Sequence, residues 1–194
     1  ENIYVLDSPI LSNAQFEKFS NFFNKNSTLI DCTFDEKEDL ESSILRIQKE
    51  AEIAARKGII HLILSDKNMS DSRLAIPMLI CVGSINSHLI KQKLRGYTSI
   101  NVQTGEALDT HSFATLLGVG ATTVNPYLAL DSIYQRFEKK LFGKFDYEEC
   151  VVRYIKSINS GLLKIMSKMG ISVLSSYRGG CNFETVGLSR TIVS

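Results

Sequence analysis

Polar side chains that could act on a small substrate follow several apolar stretches of the chain. Ser65 and Asp66 come directly after "IIHLIL", Glu106 follows "TSINVQTG", and Asn125 follows "ATTV". Carboxylates can transfer protons, and hydroxyl and amide groups can orient a polar ligand. If these stretches are parallel strands, their carboxyl ends lie at one edge of a sheet, where α/β proteins bind ligands. The sequence therefore predicts a polar edge cluster of Ser65, Asp66, Glu106 and Asn125.

The same residues have a purely structural interpretation, which stays open at this level. Asp66 and Asp109 could each accept hydrogen bonds from the first turn of a following helix. Asn125 precedes Pro126, a pair that is common in turns. On this interpretation the edge cluster stabilises loops and binds nothing.

Histidine and cysteine, which most often act as metal ligands and nucleophiles, are widely spaced. The residues are His61, His88, His111, Cys32, Cys81, Cys150 and Cys181. No pair shows zinc-ligand or C-x-x-C spacing, so we expect structural histidines, free thiols and a reducing compartment. A nucleophile formed by Cys81 or Cys181 with His88 stays open, because such partners meet only in the fold.

The stretch "GVGATT" at 118–123 resembles part of a dinucleotide-binding loop but has the wrong context. A phosphate-binding loop leads from a strand into the N-terminus of a helix. Here a predicted helix precedes the glycines and a predicted strand follows them, and the third glycine is absent. The glycines are better explained by a helix cap and a tight turn.

Apolar periodicity places these residues on alternating strands and helices. Strands are predicted in "STLIDCTF", "IIHLILSD", "TSINVQTG" and "ATTVNPY", with helices at 40–57, 77–95 and 108–118 between them and a polar loop in "KNMSDSRLAIP". This order predicts an α/β fold: a parallel sheet with flanking helices, built from βαβ units and either Rossmann-like or partial barrel-like. A further helix with an N-cap at Ser12 or Asn13 precedes the first strand.

The character of the chain changes after this core. Two charged amphipathic helices are predicted, the second in "DYEECVVRYIKSINSGLLKIMSKMG", where apolar residues recur at helical spacing. We therefore predict an α/β core at 1–128 and a helical C-terminal extension at 129–194. Gly161 lies inside the second helix and either permits a close helix contact or marks a break.

Composition excludes several classes of function. The 194 residues carry 22 basic and 21 acidic side chains, for a net charge of +1, and no basic block that would predict nucleic-acid binding. No apolar run approaches the roughly 20 residues that cross a bilayer. The N-terminus has neither a basic signal region nor an initiator Met, so we expect a piece of a longer protein.

Several longer strings occur together in a characteristic order. They are "LDSPIL", "LILSD", "IPMLICVGSINSHLI", "TGEALDTHSFATLLGVGATTVNPYLAL", "YIKSINSGLLKIMSKMGIS" and "SYRGGCNFETVGLS". From Leu6 to about Ser189 the chain resembles the central region of the large chain of glutamate synthase. The alternative is a self-sufficient α/β enzyme, or a ligand-binding module, that acts on a small polar substrate at the polar edge cluster.

The resemblance implies a large parent flavoenzyme that makes L-glutamate from L-glutamine and 2-oxoglutarate. In this family an amidotransferase domain releases ammonia, which passes through a tunnel to an FMN-containing barrel supplied with electrons through a 3Fe–4S cluster. The central region connects these two domains, helps to form the ammonia path and resembles a nucleotide-binding fold without binding a nucleotide. The implied partners are those two domains and, for the parent, a small subunit or ferredoxin. The implied location is the cytoplasm or the plastid stroma.

Carried over residue by residue, the resemblance assigns no catalytic, cofactor-binding or metal-binding residue to this chain. The family's amidotransferase nucleophile is an N-terminal cysteine, whereas this chain starts with Glu1. The family's FMN and cluster stretches lie beyond Ser194. Members of the family commonly have a run of histidines before "HLI" and a second histidine beside His111, whereas this chain has "SINS" before His88 and has Ser112. Lys164, Lys168, Tyr177 and Arg178 are the candidates for contacts with neighbouring domains.

Overall fold

The computed structural model describes residues 4–183. The helices are α1 Asn13–Phe22, α2 Leu40–Arg56, α3 Met78–Lys91, α4 Thr110–Gly118, α5 Tyr127–Glu138, α6 Tyr147–Lys168 and α7 Leu174–Tyr177. The strands are β1 Ser27–Asp31, β2 Thr33–Asp35, β3 His61–Ser65, β4 Arg73–Ala75, β5 Ser99–Gln103 and β6 Thr123–Asn125. Short 3-10 turns occupy Asn24–Asn26 and Arg95–Tyr97.

The predicted parallel sheet is present, and its strand order favours one of the two predicted architectures. Four strands pair in the order β1-β3-β5-β6, all parallel. Each new strand is therefore added beside the previous one on the same side. A doubly wound nucleotide-binding sheet reverses direction at a switch point, whereas a (β/α) barrel does not. The order β1-β3-β5-β6 has no switch point among the described strands, and it favours the partial-barrel alternative over the Rossmann-like one.

The two faces of this sheet have different chemistry. On the outer face, apolar side chains pack against α2, α3, α4 and α6; these are Ile30, Leu62, Leu64, Ile100, Val102 and Val124. The residues that alternate with them form the inner face, and most of them are polar: Ser27, Leu29, Asp31, His61, Ile63, Ser65, Ser99, Asn101, Gln103, Thr123 and Asn125. The alternation follows from the two-residue period of a strand.

The N-terminal segment completes the sheet and covers part of its inner face. Val124 donates its N–H to the Pro9 carbonyl and accepts from the Leu11 N–H, so residues 9–11 lie parallel to β6 at the edge of the sheet. Helix α1 then crosses the inner face, where Phe16 and Phe19 pack on Ile63 in a second, smaller core.

Local capping determines where most of the longer helices begin. Ser12 forms a capping box with Gln15 at the start of α1, which confirms one of the two predicted caps. Aspartates accept an N–H from the first turn of three other helices: Asp39 for α2, Asp109 for α4 and Asp146 for α6.

Three predicted elements differ in detail. The stretch predicted as one strand, "STLIDCTF", divides at Cys32 into β1 and β2, and β2 pairs antiparallel with β4 inside the predicted polar loop. The helix predicted at 77–95 ends at Lys91, because Lys93 adopts a left-handed conformation with φ of 60°. Pro77 is the residue before its first turn and not part of that turn.

Helix α6 is continuous through Gly161, which settles the question of a break in that helix. Its residues Ile158, Leu162 and Met166 belong to the same core as the outer face of the sheet. A Cβ at Gly161 would lie 2.5 Å from Cγ2 of Thr110, so this glycine permits a close contact between α6 and α4. The division into a core at 1–128 and an extension at 129–194 stays a prediction.

Candidate functional site

All four residues of the polar edge cluster lie at the carboxyl edge of the sheet, but they belong to two separate hydrogen-bond networks. Ser65 and Asn125 are the last residues of β3 and β6 and lie on the inner face. Asp66 and Glu106 lie in the loops that follow β3 and β5. Three of the four side chains are buried, and Glu106 is exposed.

The first network crosses the sheet from strand to strand. The Ser65 hydroxyl donates to Oε1 of Gln103 at 3.0 Å, and Nε2 of Gln103 donates to Oδ1 of Asn125 at 3.3 Å. Nδ2 of Asn125 in turn donates to the Leu11 carbonyl and to Oδ1 of Asn13, both at 3.0 Å. This network therefore attaches the start of α1 to the sheet.

The second network is centred on the buried carboxylate of Asp66. It accepts the hydroxyl of Thr104 at 2.5 Å and the backbone N–H of Gly105 at 3.1 Å. The negative charge of Asp66 also contributes, after burial, to raising the pKa of the nearby Tyr127 phenol. Asp66 therefore fixes the loop after β5, and the predicted helix-capping role is wrong for it, although Asp109 does cap α4.

Glu106 supplies a cap for a helix that has no side-chain cap of its own. Its Oε2 accepts the N–H of Met78, the first residue of α3, at 2.9 Å, whereas Pro77 has no side chain that could do so. Although Glu106 is exposed as a whole residue, partial desolvation of its carboxyl group raises its pKa, and the N–H of Met78 opposes that shift. A carboxylate at a helix N-terminus is also favoured by the helix dipole.

These contacts give the buried polar groups of the edge cluster partners within the chain. The buried groups of Ser65, Asp66 and Asn125 each have protein partners, as buried polar groups generally require. Such groups hold loops in place, and in the described structure they stabilise the junctions among β3, β5, β6 and α1.

The histidines occupy three unrelated environments. Nδ1 of His61 lies 2.7 Å from the Ser99 hydroxyl, and its ring stacks on Phe23 with centroids 3.9 Å apart. Burial lowers the pKa of His61. Nε2 of His88 lies 2.9 Å from a carboxylate oxygen of Glu52 and is therefore occupied by a carboxylate, not by a thiol. His111 is exposed.

The cysteines are free, and three of them are buried. Contact with the Cys81 thiol, together with burial, raises the pKa of Cys32, which keeps this thiol protonated and unreactive. Within residues 4–183 no three His, Cys, Asp or Glu side chains are grouped as metal ligands would be.

The four candidates for inter-domain contacts differ in exposure. Lys164 and Lys168 project from α6 into solvent. The side chain of Tyr177 is only 1% exposed, and its hydroxyl donates to the Ala114 carbonyl, so it has no surface left for a neighbouring domain. Arg178 is half-buried and donates from Nη1 to the Thr122 hydroxyl at 2.9 Å.

Two charged residues with structural roles were missed by the sequence-based predictions. Glu52 joins α2 to α3 through His88 and also binds Arg56 at 2.8 Å. Arg95 bridges Asn86, Thr98 and Gly120. The spacing of Glu52 and Arg56, four residues apart, could have indicated their pair, but nothing local indicates the contacts to His88 or Gly120.

A groove of about 740 Å³ separates the N-terminal segment from α6. Its walls include Leu6, Ile10, Ala14, Val151, Val152 and Ile155. Val152 is 61% exposed there, so part of an apolar helix face has no cover within the described residues. In the same part of the chain, no helix is both long enough and apolar enough to cross a membrane.

The fold defines a class of protein: an α/β segment whose parallel sheet is built like part of a (β/α) barrel, with polar residues at its strand edge that are hydrogen-bonded within the chain. The same fold occurs in a solved mutant flavocytochrome b2 with benzoylformate, with a TM-score of 0.56 and 11% identity, over 93% of this chain and 43% of that one. At this identity the match shows the fold alone.

The family follows from the sequence comparison. Residues 1–189 match the model of the glutamate synthase central domain, and the chain belongs to that family. It is 49% identical to the glutamate synthase [NADPH] large chain of Azospirillum brasilense over 97% of this chain and 13% of that protein. It is 39% identical to the chloroplastic ferredoxin-dependent glutamate synthase of Spinacia oleracea, again over 97% of this chain and 13% of the relative. The chain thus spans about an eighth of the length of these relatives.

Proposed function

We propose that this chain is the connecting segment of a glutamate synthase, the enzyme that makes L-glutamate from L-glutamine and 2-oxoglutarate. It links a glutamine amidotransferase domain to an FMN-containing synthase domain, helps to form the path of ammonia between them and contributes no catalytic residue. The observation that carries the proposal is the family match over residues 1–189, combined with relatives about eight times as long. The uncovered apolar face of α6 supports it, because exposed apolar patches commonly mark contact surfaces.

The described residues do not fit the cofactors of such an enzyme. Aromatic side chains of α1 cover the part of the inner face around Ile63, where the interior of a barrel would be. The four cysteines do not gather into a ligand set within residues 4–183. We therefore assign FMN and a 3Fe–4S cluster to other parts of the parent polypeptide.

The proposed partners of the segment are the amidotransferase and FMN domains of the same chain. For the parent enzyme, electrons come from a small subunit or from ferredoxin, and both kinds of donor are compatible with the names of the relatives. The relatives include bacterial and chloroplastic enzymes, and we propose the cytoplasm or the plastid stroma as the location.

The first test uses the purified 194-residue chain. We expect it to show no flavin absorbance and to convert neither glutamine nor 2-oxoglutarate. A stoichiometric flavin, or turnover of either compound, would contradict the proposal.

A second test uses the full-length polypeptide with Val152→Asp, which places a charge on the uncovered face of α6. Glutamine hydrolysis and glutamate synthesis from added ammonium should persist, while glutamate synthesis from glutamine falls, because the two domains are no longer aligned. Leu45→Asp is the matched control, since Leu45 is 59% exposed on α2. Unchanged coupling in Val152→Asp would argue against a connecting role for this face.

A further inference from the structure

Two arginine side chains from distant parts of the sequence meet on the loop between α4 and β6. Nη2 of Arg95 donates to the Gly120 carbonyl at 2.9 Å, and Nη1 of Arg178 donates to the Thr122 hydroxyl at 2.9 Å. Gly120 and Thr122 are two residues apart, so the two guanidinium groups are neighbours. Both side chains are half-buried.

Arg95 is held in a fixed position. Besides Gly120, it binds Oδ1 of Asn86 through Nε at 2.6 Å and the Thr98 carbonyl through Nη1 at 2.5 Å. Burial lowers the pKa of Arg95, and the charge of Arg178 lowers it further. A guanidinium still remains charged in a protein, so this loop carries two positive charges.

No carboxylate compensates these charges in the part of the chain that the structure describes. The ion pairs within residues 4–183 involve other cations, and neither Arg95 nor Arg178 takes part in one. Close like charges away from bulk water repel each other appreciably. The Thr98 hydroxyl is also buried without a hydrogen-bond partner in the described structure. Within the described residues, this corner of the fold therefore has two positive charges without a counterion and one hydroxyl without a hydrogen-bond partner.

Arg178 has a free edge that suits one kind of ligand. Only its Nη1 is engaged within residues 4–183, which leaves Nε and Nη2 available side by side. That edge of a guanidinium binds the two oxygens of a carboxylate through parallel N–H···O bonds.

We propose that Arg178, supported by the fixed charge of Arg95, is a carboxylate-binding site. The carboxylate is either a side chain from another part of the full-length polypeptide or a small carboxylate anion from solution. A side chain as the ligand rests on the proposed connecting function, whereas a small anion as the ligand does not depend on it.

The experiment compares Arg178→Ala with Thr122→Val in the full-length polypeptide. Thr122→Val removes the hydroxyl that Arg178 binds but leaves both charges, so it controls for the loss of that hydrogen bond. Hydrogen–deuterium exchange is measured throughout the polypeptide. Thermal unfolding is measured in sodium glutarate and in sodium chloride of equal ionic strength.

A side-chain carboxylate predicts that Arg178→Ala, unlike Thr122→Val, speeds exchange roughly tenfold in a peptide outside residues 1–194, as expected for the loss of one charge-assisted pair. A solution anion predicts instead that glutarate raises the melting temperature of the unsubstituted protein and of Thr122→Val, and that Arg178→Ala abolishes the rise. Arg178→Lys keeps the charge but not the two parallel N–H donors of the guanidinium. It should therefore lose most of the protection from exchange or most of the glutarate-dependent rise in melting temperature.

The site is disproved if Arg178→Ala and Arg178→Lys match Thr122→Val in both measurements. Neither measurement depends on glutamate synthesis, so this result would leave the connecting function untouched. Conversely, a glutarate-dependent rise that requires Arg178 would support the site even if the connecting function failed.

Discussion

At the scale of single residues, one acidic side chain carries the electrostatic link between two helices of the outer layer. The carboxylate of Glu52 binds Nε of Arg56 at 2.8 Å and lies 2.9 Å from Nε2 of His88, with Lys49 at 3.7 Å. The hydrogen bond from Arg56, followed by that from His88, lowers the pKa of Glu52 from its usual value of 4.5 to about 2. The charged form is therefore favoured in the folded state.

This shift predicts a defined loss of stability in acid. Because the folded-state pKa is the lower one, the contribution of Glu52 is complete above pH 4.5 and disappears as the pH falls from 4.5 to about 2. Glu52→Gln should therefore be less stable than the unsubstituted chain at pH 7, with a difference that shrinks by pH 2. Urea unfolding at the two pH values measures this. The control is Glu50→Gln, which removes an exposed ion pair with Arg46 and should change stability little. If the loss of stability in Glu52→Gln were the same at both pH values, the lowered pKa of Glu52 would not contribute to stability.

The polar edge cluster shows what residue-level reasoning can and cannot predict. Because the carboxyl ends of parallel strands lie at one edge of a sheet, the sequence placed Ser65, Asp66, Glu106 and Asn125 at that edge, where the structure has them. It could not predict their partners, because Leu11 and Met78 reach the edge from elements distant in sequence. The structural interpretation therefore depends on tertiary contacts that the local sequence does not show.

At the scale of elements, the contact between α4 and α6 depends on a glycine. An alanine Cβ at position 161 would lie 2.5 Å from Cγ2 and 2.6 Å from Oγ1 of Thr110. Gly161→Ala gains about 1 kcal/mol in helix propensity, but overpacking costs about 1–3 kcal/mol, so we expect a net loss of stability. Denaturant unfolding of the single variant measures that loss.

A matched control and a rescue make this prediction specific. Gly83→Ala, in the interior of α3, meets nothing within 4 Å and should stabilise by up to about 1 kcal/mol. Thr110→Ala removes the two atoms that clash and should reduce the cost of Gly161→Ala in a double-mutant cycle. Additive effects of the two substitutions would show that the helices do not meet at this point.

Elements whose limits are set locally could be predicted, and those set by distant pairing could not. Ser12, Asp39, Asp109 and Asp146 mark helix starts through contacts within a single turn. By contrast, β2 exists because Cys32 and its neighbours turn away from β1 to pair with β4, more than 35 residues on. Strand propensity alone gave no reason to divide "STLIDCTF".

At the scale of the whole molecule, the strand order and the N-terminal helix together define the shape of the segment. Sequential addition of strands builds part of a barrel wall, with α2, α3, α4 and α6 packed outside and α1 across the inner face. A complete barrel fills its interior with side chains from all its strands. Here aromatic side chains of α1 take that place, which periodicity within α1 could not reveal.

The covering role of α1 predicts contrasting effects for two phenylalanines of one helix. Phe19 is 3% exposed and packs on the ring of His61 with centroids 5.3 Å apart, whereas Phe22 is 49% exposed. Phe19→Ala should cost about 3–5 kcal/mol of folding free energy and Phe22→Ala much less. Because burial lowers the pKa of His61, uncovering its ring should also raise that pKa toward 6.5, which histidine NMR titration measures. Equal stability of the two variants, with no change in the His61 titration, would mean that α1 does not cover the inner face.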